Sequence, residues 1–167
     1  FGHQGEYILN ELSLKHKEGY FNHNIESVRN LMVLENYGKG LNITVQVLDA
    51  IMCHNGEFAL GEYKPKKKTV EEFLKEYETS YQDKNVLARM RPMTLEGCVV
   101  RVSDLIAYLG RDIDDAVRLN VLKRDELPKE ITDILGSTTK EIVNTCIMDI
   151  INNSVNKNYI KLSPEVY

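Results

Sequence analysis

The chain has 167 residues, 43% of them hydrophobic and 28% charged, with a formal net charge of −4. That length suits one core and is short for two, and the mild acidity supplies no coat for nucleic acid, so a polyanionic ligand must be met by a local site. Four Pro, no Trp and abundant Leu, Ile, Val, Glu and Lys favour helices over strands. Cys53, Cys98 and Cys146 are odd in number, lie far apart and form no C-x-x-C. They read as apolar fillers in a reducing compartment, which makes the cytoplasm the expected location. No apolar run approaches the ~20 residues that span a bilayer, and no signal peptide is visible.

In chain order, residues 4–15 read as a first helix with Ile8, Leu9 and Leu12 on one face, broken near Gly19. Residues 22–34 read as a second, with Ile25, Val28, Leu31 and Met32 spaced by three and four. Gly38-Lys39-Gly40 is a turn, and Asn42 is the expected N-cap of a helix through Val45, Leu48, Ile51 and Met52 that ends near His54-Asn55-Gly56. Residues 55–68 are the longest irregular stretch, and the lysines from Lys64 to Lys68 read as a solvated loop. Thr69 opens a capping box for a helix over 70–81, with Phe73, Leu74 and Tyr77 inward.

Pro92 then stops the preceding segment, and Thr94 caps a long helix running to about Leu119. Its apolar stripe comprises Leu95, Cys98, Val99, Val102, Leu105, Ile106, Leu109, Ile113, Ala116 and Val117, which predicts a central position in the fold. A short helix over 127–135 and a final long one after Gly136-Ser137 complete an all-α expectation without an alternating strand. The chain opens at Phe1-Gly2-His3 without Met and stops at Pro164-Glu165-Val166-Tyr167, so both ends read as interior to a longer polypeptide.

Along the long helix, Asp104, Tyr108 and Asp112 are four apart. They drift about 80° around the axis and climb about 12 Å. Arg101 and Asp115 fall on the same polar strip. Two carboxylates and an aromatic hydroxyl in line could serve a metal, a sugar face and a sugar hydroxyl; equally, the strip could be a solvated face laced by an Arg111–Asp115 pair. His3 and Glu6 share a face at a helix start, and His23 opens the second helix, where an N-terminus favours bound anions such as phosphate. His16 and His54 lack such company and read as structural.

These residues carry a resemblance. Phe1-Gly2-His3-Gln4-Gly5-Glu6 resembles the segment that follows the His-Asp doublet in the HD-domain deoxynucleoside triphosphate triphosphohydrolases, the dGTPase family. The run from Gly19 to Ser27, containing Phe21-Asn22-His23-Asn24, is similar to its Gly-Gly-Phe-Glu-His-Asn segment. Gly40-Leu41-Asn42-Ile43-Thr44 resembles its Gly-Leu-Asn-Leu-Thr, and Thr94 to Tyr108 with Asp112 to Ala116 resembles its most telling helix. The blocks keep their order across residues 1–120; beyond 120 the match reads as weak and generic.

The resemblance implies an HD-domain helical bundle, with residues 1–167 a partial catalytic core whose N-terminal metal-ligand helices and C-terminal region lie outside the chain. It implies release of tripolyphosphate from a dNTP with a divalent metal such as Mg or Mn. Asp104 becomes the last ligand of an H…HD…D site, Tyr108 the residue against the deoxyribose, and Asp112 the acceptor of the 3′-hydroxyl. His3 and Glu6 become the catalytic histidine and its acid, His23 a second histidine facing the phosphates, and Arg29 a weaker phosphate candidate. A homo-oligomer and a nucleotide effector belong to the same expectation; membrane and nucleic acid do not. The sequence departs from the family in having no His-Asp doublet, so this chain alone should be inactive. Another HD phosphohydrolase, a nucleotidase or phosphodiesterase, is the alternative enzyme. A catalytically silent nucleotide-binding regulatory domain is the non-enzymatic one.

Overall fold

A computed structural model of the chain describes residues 2–55 and 61–167, the His3 side chain excepted. The described residues are mostly helical. Helix α1 (Gly2–Lys15) is followed by α2 (His23–Arg29), which widens into one π-helical turn, Asn30–Leu34. The chain reverses through the short α3 (Glu35–Gly38), where Asn36 and Tyr37 are left-handed. The predicted Gly38-Lys39-Gly40 turn closes this reversal. Gly40 has φ of +70°, and a Cβ there would lie 2.0 Å from the Met32 carbonyl oxygen, so the position admits only glycine.

Helix α4 (Val45–Met52) starts two residues later than expected. Thr44, in extended conformation, precedes it, and Asn42 is not its cap. Helix α5 (Val70–Ser80) carries the predicted Thr69 box: the Thr69 hydroxyl accepts from Glu72 N, and the Glu72 carboxylate accepts from Thr69 N. The four-residue α6 (Val86–Arg89) was not anticipated, because one turn leaves no period to read. Helix α7 (Leu95–Arg118) is the longest, and Thr94 caps it by accepting from Gly97 N. After α8 (Lys129–Leu135), a second full capping box at Thr138 starts α9 (Thr139–Ser154). The expectation of no strand needs one amendment. Two-residue strands β1 (Glu62–Tyr63) and β2 (Ile160–Lys161) pair antiparallel, too short to show alternation. Residues 56–60 of the predicted irregular stretch, with Gly56 at the expected end of α4, lie outside the described residues. No helix among the described residues is long and apolar enough to cross a membrane.

The single core expected from length is two apolar clusters. The first gathers Ile25, Val28, Leu48, Met52, Phe73 and Met90 from α2, α4, α5 and the end of α6. The second gathers Tyr63, Cys98, Val102, Ile106, Ile142, Cys146 and Ile160 from α7, α9 and the strand pair. Helix α7 packs on α4 and on α9, so the centrality expected of it holds. Its stripe is narrower than predicted: Cys98, Val102 and Ile106 are buried, whereas Val99 and Leu109 are exposed.

Arg101 departs from the polar strip to which spacing assigned it. It is 5% exposed, donates to the Met90 carbonyl at 3.3 Å, and lies over the Tyr63 ring. Burial holds its guanidinium below the usual range, although Tyr63 pulls the other way.

The lysine run also departs from its reading at one residue. Lys68 is not solvated: its side chain is 1% exposed and meets Asp49 Oδ1 at 2.7 Å and Glu76 Oε2 at 2.6 Å. Asp49 is itself wholly buried, and its second oxygen accepts from Met93 N at 2.6 Å. Burial opposes the Lys68 ammonium, but Cys53 and the Asp49 and Glu76 carboxylates outweigh it and hold its pKa above the ordinary value. The adjacent Cys53 thiol is pushed up to about 12, by burial first and then by Asp49.

Removing Lys68 would strand the Asp49 charge. Lys68→Met, which preserves most of the volume, should therefore cost about 3–5 kcal/mol in urea unfolding. A loss within experimental error would show that the pair carries no net stability. Because the Lys68 pKa is raised, its contribution is fully present below the lysine's ordinary pKa of 10.5 and is lost only as pH climbs beyond it. The wild-type protein should therefore shed more stability than Lys68→Met in that alkaline range.

Candidate functional site

One face of α1 builds the first half of the site. Glu6, Asn10 and Ser13 are spaced by four and three, so their side chains line up. Each holds a successive point of the returning chain. Ser13 Oγ donates to the Gly19 carbonyl at 2.7 Å, Asn10 Oδ1 accepts from Phe21 N at 3.0 Å, and Glu6 Oε1 accepts from His23 N at 2.9 Å. Gly19 itself lies close against α5: with φ of +93°, a Cβ there would fall 2.4 Å from the Tyr81 carbonyl oxygen. Tyr20 N donates to that same oxygen at 2.9 Å. The chain is thereby delivered to the first residue of α2 in a fixed register.

His23 is anchored twice by one carboxylate oxygen, through its backbone N–H and through ring Nδ1, also at 2.9 Å. A carboxylate at a helix N-terminus is favoured by the unpaired amides there. Glu6, expected beside His3, thus holds His23; the His3 side chain lies outside the described residues.

The second imidazole is His54, which sequence reasoning read as structural. Its Nε2 lies 3.3 Å from His23 Nε2, and the rings meet edge to face at 5.2 Å. Its Nδ1 donates to the Ile51 carbonyl at 2.7 Å, in the last turn of α4. Asn24, fully buried, pins this corner by donating to Met52 O at 2.5 Å and to Asn55 Oδ1 at 3.1 Å. Sequence spacing could not reveal His54, because the contact joins residues 31 positions apart. Asn10 and Ser13 did carry a signal, the polar three-and-four spacing with Glu6.

Helix α7 supplies a separate feature. Asp104, Ala107, Tyr108 and Arg111 line a cavity of about 240 Å³. Asp104 is half-buried, Tyr108 is 54% exposed, and Asp112 is exposed without lining this cavity. Arg111 borders the cavity and forms no ion pair with Asp115. The ion pair on this part of the helix is instead Asp114 with Arg124, from the turn after α7. Neither Glu6, His23 nor His54 borders the cavity. Arg29 is already engaged by Glu26 at 3.2 Å, which raises its pKa. Among the described residues no three His, Cys, Asp or Glu side chains gather as a metal would require.

Over all of its length the chain is 38% identical to a deoxyguanosinetriphosphate triphosphohydrolase-like protein of Caldanaerobacter subterraneus. The chain is a relative of the deoxyguanosinetriphosphate triphosphohydrolase-like proteins. Similar proteins of the same name from Clostridium tetani and Clostridium perfringens are 37% identical over 93% of the chain and 36% identical over 99% of it. The chain spans 39%, 36% and 39% of these three relatives. The kinship runs through residues 121–167 as well, where the sequence segments alone gave only a generic match. No protein-family profile matches the chain, and no solved structure matches it.

Glu6→Ala removes one acceptor from two donors at the start of α2. It should lower stability by about 1–2 kcal/mol, the worth of a lost helix-cap acceptor. An unchanged denaturation midpoint would show that Glu6 does not hold α2 in place.

Proposed function

We propose that the protein hydrolyses deoxynucleoside triphosphates to a deoxynucleoside and tripolyphosphate. The observation that carries the reading is the kinship along the whole chain, joined to a histidine that a buried-side carboxylate fixes at a helix N-terminus. In this reading His23 presents its ring to phosphate charge. His3 is the general acid or base. Tyr108 packs against deoxyribose, with Asp104 and Arg111 at the rim of the same cavity, and Asp112 accepts from the 3′-hydroxyl. The described residues do not compose a complete metal site, so no step is assigned to a metal. Catalysis by these groups is positioning and electrostatics at phosphorus.

The protein as encoded in its genome, given Mg or Mn, should release tripolyphosphate from at least one dNTP. Release of inorganic phosphate or pyrophosphate alone would favour another phosphohydrolase. Tight dNTP binding without turnover would favour a regulatory domain.

Asp112 separates a sugar site from a solvated face. Asp112→Ala should weaken a normal dNTP by about 1.5–3 kcal/mol, the range for a hydrogen bond to a charged group. A 2′,3′-dideoxy analogue, which offers no hydroxyl, should bind the variant as it binds wild type. Equal losses for both ligands would remove Asp112 from the sugar site.

A further inference from the structure

Three polar contacts run in series from α1 to the end of α4. Glu6 Oε1 meets His23 Nδ1 at 2.9 Å, His23 Nε2 meets His54 Nε2 at 3.3 Å, and His54 Nδ1 meets the Ile51 carbonyl at 2.7 Å. The outer partners, a carboxylate and a carbonyl, can only accept. Both Nδ1 atoms must therefore carry hydrogen. A neutral imidazole has one ring hydrogen, so two neutral rings would spend both on these outer contacts. Their Nε2 lone pairs would then face each other at 3.3 Å, which is repulsive. The series closes with one further proton, between the two Nε2 atoms.

The surroundings suit that proton. Glu6 supplies a full negative charge at one end. At the other, His54 sits just past the C-terminus of α4, where the last carbonyls favour a cation. The other acids on the elements that carry the pair are committed elsewhere: Asp49 of α4 to Lys68 and Met93 N, and Glu26 of α2 to Arg29. Asn24 and Asn55, which brace the corner, are neutral.

We propose that His54 is a positioning residue for His23: its Nε2 lone pair accepts the proton carried on His23 Nε2, which keeps His23 ready to donate from Nε2 to an anionic phosphate oxygen. That oxygen replaces the His54 lone pair as acceptor when the anion arrives. The proposal takes from the preceding section only that His23 faces phosphate.

The test reads the rings directly, by two-bond ¹H–¹⁵N correlation in histidine-labelled chain at neutral pH, with tripolyphosphate as the binding probe. In wild type, both Nδ1 atoms should be protonated and one ring of the pair should show the imidazolium pattern. His54→Gln, whose Oε1 can stand where Nε2 stood, should keep His23 doubly protonated and bind tripolyphosphate as wild type does. His54→Phe retains a ring but no acceptor; His23 should revert to a neutral ring, and tripolyphosphate should bind at least about tenfold more weakly, in line with losing a charged donor. A wild-type His54 protonated on Nε2 instead of Nδ1 would overturn the proton count without need of any variant. A His54→Phe protein with unaltered His23 signals and tripolyphosphate affinity would make His54 a packing residue only. Because the ring signals are independent of turnover, failure to hydrolyse dNTP would overturn the proposed function while leaving this arrangement standing.

Discussion

The Asp49 carboxylate is the junction on which the first half of the molecule depends. One oxygen takes the Lys68 ammonium from the strap before α5; the other takes the Met93 amide from the strap before α7. A helix and two non-helical segments thus converge on one buried anion. Taking such an anion out of water is unfavourable unless its partners are all in place, so the segments are correct together or not at all. Glu76 extends the arrangement to α5 by meeting the same lysine. Since α4 carries Asp49 in its middle and ends just before His54, the ionic junction also determines where the second imidazole stands.

The site is assembled by two different devices. Helix α1 works as a rack: three polar side chains on one face receive the returning backbone at Gly19, Phe21 and His23. The α4 corner is held by Asn24, which crosses from α2 to the Met52 carbonyl and Asn55. His23 lies where the two meet. Helix α7, by contrast, presents Asp104 and Tyr108 through its own regularity, because residues four apart recur on nearly one line.

What the sequence made legible follows the range of the interactions. Helices α5, α7 and α9 and the caps at Thr69 and Thr94 are legible because they are encoded within a few residues; the capping box at Thr138 is equally local but was not anticipated. The helical class and the centrality of α7 follow from periodicity alone. Helical spacing placed Arg101 on the polar strip, and the charge run placed Lys68 in a solvated loop. Both are buried because partners from distant segments wait for them: the Met90 carbonyl and Tyr63 ring in one case, Asp49 and Glu76 in the other. His54 was passed over for the same reason. Of the site, Glu6 and His23 were legible as candidates, but their mutual contact was not, because it joins two helices across a reversing loop.

The division of the apolar interior into two clusters bears on how the molecule comes apart. Helix α7, 24 residues and therefore roughly 36 Å long, touches both clusters, and Arg101 reaches from its N-terminal half toward each of them. A fold assembled this way unfolds as a single cooperative unit only as far as that joint transmits the loss of one cluster to the other. With α7 intact, the half built on α8, α9 and the strand pair can open while the half that carries His23 and His54 keeps its geometry. The histidine corner is therefore insulated from fraying at the C-terminal side of the chain.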